Sequence, residues 1–203
     1  MKTLHITLAT LCVTFTATAQ NNPLLDHMSL EVGYGYNLAI NPVAPVSSSD
    51  VSAFSSAHAG ATYHIDKVWG VRGTYMYNQF KVENVEDQKL QIHKLALEAT
   101  FDITEAIQKR ITSNYKKGFA VEAHAGAGLS MGKSGYPKRE DDFMANVQIG
   151  VLPVYYIDNN WAVFADATFT QYIKQNFNFN GQRADNNGQT ATFNIGVRVK
   201  LGK

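Results

Sequence analysis

The chain has 203 residues, a formal net charge of +1 and one cysteine, Cys12. That length fits a single domain, the balanced charge gives no electrostatic pull toward nucleic acid or an acidic surface, and a lone thiol excludes a disulfide framework or a zinc–thiolate site. No segment holds 18 consecutive apolar residues, which excludes a spanning helix.

Residues 1–19 read as a secretory signal peptide, with Lys2 as the basic start, an apolar stretch from Leu8 to Phe15, and the small-x-small site Ala17-Thr18-Ala19 before Gln20. Cleavage there leaves a domain of residues 20–203 with 17 basic and 17 acidic residues and no thiol. Cys12 is a poor acylation site, because Leu11 precedes it where a lipoprotein signal carries a small residue.

From Met28 to Leu38 the apolar residues Met28, Leu30, Val32, Tyr34, Tyr36 and Leu38 fall on every second position. This is the period of a strand with two chemically different faces. Further strands are expected over roughly 56–65, 69–79, 93–103, 119–131, 143–156 and 161–173, and an eighth over 191–201. In 119–131, Phe119, Val121, Ala123, Ala125, Ala127, Leu129 and Met131 oppose Ala120, Glu122, His124, Gly126, Gly128 and Ser130. Pro153 cannot donate to a ladder and should lie near a strand end or a bulge. Asp66-Lys67 and Asp158-Asn159-Asn160 are tight-turn sequences. Residues 40–54, 80–91, 132–142 and 174–189 are long polar loops. In 104–117 a helix of one to three turns is expected, since Asp102-Ile-Thr-Glu105 has capping-box spacing.

Eight amphipathic antiparallel strands close either with apolar residues inside, in water, or with apolar residues outside, in a bilayer. The polar phase carries Gly33, Gly35, Gly60, Gly70, Gly126, Gly128, Gly150 and Gly196 but only two lysines, Lys94 and Lys200. A water-facing surface would be about 25 to 35% charged, whereas small residues suit the narrow inside of an eight-stranded barrel. The fold expected is therefore an all-β, up-and-down, eight-stranded antiparallel transmembrane barrel. Trp69, Trp161, Phe101 and Phe119 should form one aromatic belt at the turn end. Tyr34, Tyr36, Tyr77, Phe80, Phe143, Phe169 and Tyr172 should form another toward the opposite end.

In strand count, alternation and the rhythm of short turns and long loops, residues 28–201 resemble the small outer-membrane barrels of the OmpA/OmpX type from Gram-negative bacteria. Stretches such as Ala123-His-Ala-Gly-Ala-Gly128 and Asn160-Trp-Ala-Val-Phe164 share that likeness. The resemblance implies periplasmic termini and turns, loops outside the cell, and, as for most members, no catalytic role. The chain departs from it in lacking a terminal aromatic after Lys200-Leu-Gly-Lys203, and no peptidoglycan-binding domain follows the barrel.

Few motifs carry chemistry. Gly126-Ala-Gly-Leu-Ser-Met-Gly-Lys-Ser134 resembles a phosphate-binding loop, but Ala127 stands where a glycine is required and no helix follows. His58, His64 and His124 share the lumen phase and read as hydrogen-bonded filler, the rival reading being a metal or proton relay. Ser56 and Ser130, in phase with His58 and His124, are the best nucleophile candidates, with no spacing that singles out a triad. The charges expected inside are Glu31, Arg72, Lys94, Glu98, Glu122, Asp166, Arg198 and Lys200, four acids against four bases, which must be paired because isolated burial is costly. Glu31 and Arg198 should meet across the closing seam, and exchanging them should preserve the pair.

These readings converge on a non-enzymatic, monomeric protein embedded in the lipid bilayer of the outer membrane, with no cofactor or metal. Its role would be structural or surface interaction, with loops 40–54 and 174–189 meeting any extracellular partner. The rivals are a narrow or gated channel for ions or small solutes, in which the same charges act as the gate, and a soluble ligand-binding barrel with the phases reversed.

Overall fold

The computed structural model describes residues 24–44, 46–82, 88–108, 118–135, 140–184 and 187–201, so the expected signal peptide lies outside it. Eight strands follow in order: β1 (Met28–Ala39), β2 (Ala53–His64), β3 (Trp69–Lys81), β4 (Lys89–Asp102), β5 (Phe119–Ser134), β6 (Glu140–Tyr156), β7 (Trp161–Ile173) and β8 (Gln189–Lys200). Each pairs antiparallel with the next, and β1 pairs with β8 from Ser29↔Lys200 to Ala39↔Thr190, closing the barrel.

Several strands overrun the spans their alternation suggested. β4 starts at Lys89 rather than 93, β5 runs to Ser134 rather than 131, and β6 starts at Glu140 rather than 143. The outward residues of these extensions are Lys89, Gln91, Lys133 and Asp141, so the pairing continues after the apolar code has stopped. Hairpin hydrogen bonds need no apolar face to persist in water. Pro153 lies inside β6 opposite Val121. The β6–β7 ladder lapses at Leu152 and Pro153 and resumes at Val154↔Phe164 in unchanged register, so the missing N–H interrupts the ladder without a bulge.

The two tight turns have one construction. In Ile65-Asp-Lys-Val-Trp69, Asp66 Oδ1 accepts the N–H groups of Val68 and Trp69, both at 2.7 Å. In Ile157-Asp-Asn-Asn-Trp161, Asp158 Oδ1 accepts those of Asn160 and Trp161 at 2.7 and 2.8 Å. The carboxylate satisfies amides that no strand reaches, which is why Asp leads each turn. At the third connection Asp102 Oδ1 accepts from the Glu105 N–H at 2.8 Å and starts a short helix, Ile103–Gln108.

The apolar phase points outward. Leu95, Leu129 and Ile195 are 62%, 73% and 73% exposed, while Arg72, Glu98 and Thr170 on the other phase are buried. This is the reverse of a soluble barrel, and it removes the soluble ligand-binding reading. Arginine at Val197, half-exposed on the outward face of β8, should cost about 2 to 4 kcal/mol if that face meets hydrocarbon. Urea titration of the vesicle-inserted protein measures this, and an unchanged midpoint would show that the face is not in lipid.

Small residues on the inner phase let the wall bend. A Cβ built on Gly128 would stand 2.7 Å from the Ala96 Cα, and one on Gly35 2.7 Å from the Asn194 Cα, both inside contact distance of neighbouring backbone. The first site lies at the β4–β5 junction and the second at β8–β1, half the ring away, so the wall turns sharply at two opposite places.

Candidate functional site

The inner phase assembles a charge network to which every strand contributes. Arg72 on β3 is its centre: Nε donates to Glu31 Oε1 on β1 at 2.5 Å, and Nη2 donates to Asp166 Oδ2 on β7 at 2.7 Å. Arg72 Nη1 lies 3.6 Å from Glu98 Oε2 on β4, and Nη2 lies 3.0 Å from His58 Nε2 on β2. Arg198 on β8 donates from Nε to Glu31 Oε2 at 3.0 Å, and its Nη1 and Nη2 clamp both oxygens of Glu122 on β5 at 2.6 and 3.1 Å. Gln148 on β6 donates to Glu98 Oε1 at 2.7 Å. Glu31 and Arg198 are cross-strand partners, but Glu31 is shared with Arg72.

His124 bridges two acids. Its Nδ1 touches Glu98 Oε2 and its Nε2 lies 3.4 Å from Asp166 Oδ1. Both contacts are ion-pair approaches without hydrogen-bond geometry. Thr74 and Thr168 complete the shell, their hydroxyls donating to Glu98 Oε1 at 2.6 Å and Asp166 Oδ1 at 2.5 Å. Charge-assisted bonds of this density offset the desolvation of ions that water no longer reaches.

Two of the eight expected lumen charges depart from this arrangement. Lys200 is exposed at the end of β8, where the turn end opens to water, and takes no part. Lys94 is buried but reaches across to Thr170 Oγ1 at 2.7 Å rather than to a carboxylate. The expected balance of four acids and four bases is therefore Glu31, Glu98, Glu122 and Asp166 against Arg72, Arg198 and Lys94, with His124 in the fourth place. His64 stands apart at the turn end, its Nε2 3.0 Å from Ser29 Oγ.

The catalytic alternative loses its residues. Ser130 Oγ accepts from Asn146 at 2.9 Å and does not meet His124, and His58 is held by Arg72 and Glu31 rather than by Ser56. Among the described residues no cluster of His, Cys, Asp and Glu could hold a metal ion. The glycine-rich string 126–134 is entirely β5 strand.

A second layer closes the loop end. Phe80 and Tyr172, expected on the outer belt, are fully buried on the inner phase, where they join Leu90, Ile92, Met144 and two residues of the last loop, Phe177 and Phe179. The loop expected over 174–189 as a polar partner-reading segment thus puts Phe177 and Phe179 into the barrel mouth. Asn176 fastens it through two 2.7 Å bonds to Asp142, and Asn178 exchanges bonds with the Val43 backbone at 3.0 and 2.7 Å. Arg183 reaches Glu140 at 3.1 Å. Gly181, at φ 87°, makes the reversal, a backbone region open to glycine at little cost. The loop after β1 is ordered by a capping box in which the Ser47 N–H and hydroxyl hold the Asp50 carboxyl below its usual range. Phe177-Asn-Phe179 carries the two-residue spacing of the strands, the one sign in the sequence that this loop packs inward.

The remaining aromatics face out. Trp69 and Phe101 are cross-strand partners with ring centroids 4.8 Å apart. Trp161, Phe119, Tyr34, Phe143 and Phe169 are exposed on the same phase, and Tyr77 is half-buried beside His93.

The closed, all-antiparallel barrel of eight strands is a fold found among solved structures. Neisserial surface protein A aligns over 86% of this chain and 97% of its own, with a TM-score of 0.56 and 16% identity. The Yersinia pestis attachment invasion locus protein Ail covers 85% and 96%, at TM-score 0.52 and 14% identity. The chain has the fold of the small eight-stranded outer-membrane barrels. A major outer membrane protein of Thermus thermophilus shares that barrel fold, over 85% of this chain and 97% of its own, at TM-score 0.53 and 11% identity. No family model matches the chain, and no curated protein does.

Proposed function

We propose that this chain, directed to export by residues 1–19, is an integral outer-membrane protein and not an enzyme. In this reading its barrel is a rigid, closed support that presents the outer loops as a structural or adhesive surface. The observation that carries this reading is the double obstruction of the lumen, by the Arg72-centred network and by the apolar plug of Phe80, Tyr172, Phe177 and Phe179. Ions in a narrow, low-dielectric passage need a continuous polar path, and the plug interrupts one. Two of the similar barrels bear names, surface protein and attachment invasion locus protein, that accord with a surface role.

The second reading, a gated channel, is favoured by one feature: half of the plug, Phe177 and Phe179, is carried by a single strap that a few polar contacts fasten. Planar-bilayer recordings separate the two. The native protein should give no conductance steps, and the pair Phe177→Ser with Phe179→Ser should stay silent as well while the ion network remains. Steps from native protein would replace the closed-support reading with the channel.

A further inference from the structure

We propose that the outward face at the loop end of β3, β4 and β5 is a binding site for phosphate-bearing lipid headgroups, with Lys81, Lys89 and Lys133 as its cations. Lys81 and Lys89 are direct cross-strand partners, and Lys133 is paired with Gln91, one outward position from Lys89. All three lie on the phase that carries the apolar residues of the barrel's outside. Side chains directly opposite stand about 5 Å apart at Cβ and diagonal ones about 7 to 8 Å, and like charges so placed repel. Among the described residues no ion pair engages any of the three; the nearest acid by register is Asp141, opposite Lys133 on β6.

Directly below them on the same face sits an aromatic cluster that marks depth. Tyr75 Oη lies 2.8 Å from His93 Nδ1, the Tyr77 and His93 rings are 5.2 Å apart, and Tyr77 Oη donates to Gln79 Oε1 at 3.0 Å. Rings with an apolar body and a polar tip settle at the boundary between acyl chains and headgroups. Lys81 is four residues beyond Tyr77 along β3, about 13 Å of strand, which lifts the ammonium groups into the phosphate layer. Their mutual repulsion is relieved by an anion seated among them, and lysine meets phosphate as a point charge with three donors. The occupant inferred is the phosphate of a membrane lipid, an inference that rests on the chain spanning a bilayer.

The test uses the full mature chain. Heat-resistant migration and protease protection in phosphatidylcholine vesicles first establish insertion, so that a failure of the barrel reading is seen separately. Native mass spectrometry then compares retained phosphatidic acid with retained phosphatidylcholine, from mixed vesicles of the two. Each lysine near an anionic surface is worth about a fivefold preference. The native protein should favour phosphatidic acid at least fivefold, and the triple variant Lys81→Gln, Lys89→Gln, Lys133→Gln should fall to near parity. The triple Lys→Arg variant should keep the preference, and Lys67→Gln, in the turn at the opposite end, should not change it. Parity in the native protein overturns the proposal. Equal displacement of the lipid by inorganic phosphate would mean a free-anion site and overturn the lipid assignment.

Discussion

Replacing Arg72 by methionine is expected to lower the unfolding free energy of the vesicle-inserted barrel by about 3 to 5 kcal/mol, more than any other single lumen substitution. Methionine keeps much of the volume and none of the charge, so Glu31, Asp166 and Glu98 lose the cation that all three approach. Urea titration gives the loss, and Asp166→Asn in the same chain should restore part of it because one stranded charge is then gone. A loss below about 1 kcal/mol would mean that water reaches the network and screens it. The same geometry changes the expectation for the seam. Exchanging Glu31 and Arg198 should fail to restore stability, because an arginine at 31 would face Arg72 and a glutamate at 198 would face Glu122.

Gly128→Val should cost about 3 kcal/mol or prevent insertion, while Gly73→Val should be near neutral. Both are strand glycines, so any difference in β-propensity favours valine equally. They differ in surroundings: a side chain at 128 enters the β4 backbone at Ala96, whereas one at 73 meets nothing within 4 Å. Electrophoretic heat-modifiability and urea titration in vesicles compare the two. Equal behaviour would show that the wall can relax at the β4–β5 junction, and that its sharp turn there is not required.

The faces of this protein were readable because its period is two and its two solvents differ. Glu31 and Arg198 could be placed on one phase and at one depth by counting from strand ends, since the seam is antiparallel. Contacts across the barrel could not be read this way. That Arg72 on β3 meets Asp166 on β7, or Lys94 meets Thr170, depends on how far the ring shears as it closes, and no local pattern encodes the shear. Aromatic character alone points Phe80 and Tyr172 to an outer belt, but their phase puts them inside, since both stand an even number of residues from inner-phase positions, Arg72 and Asp166. Lys200 shows the opposite case: it has the inner phase, but it lies at the last position of β8, too close to the rim to be enclosed. Strand ends beyond the apolar band were lost, because there the outward face meets water and its residues no longer differ from the inward ones.

The seam between β1 and β8 joins residues as far apart in sequence as Ser29 and Lys200. Until the eighth strand arrives, both flanking strands present open rows of N–H and C=O groups, which hydrocarbon cannot satisfy. A nascent sheet of seven strands therefore has no stable residence inside the bilayer, however good its hairpins are. Insertion and completion become a single cooperative event, and the rate at which the barrel appears is governed by the search of its last strand for its first.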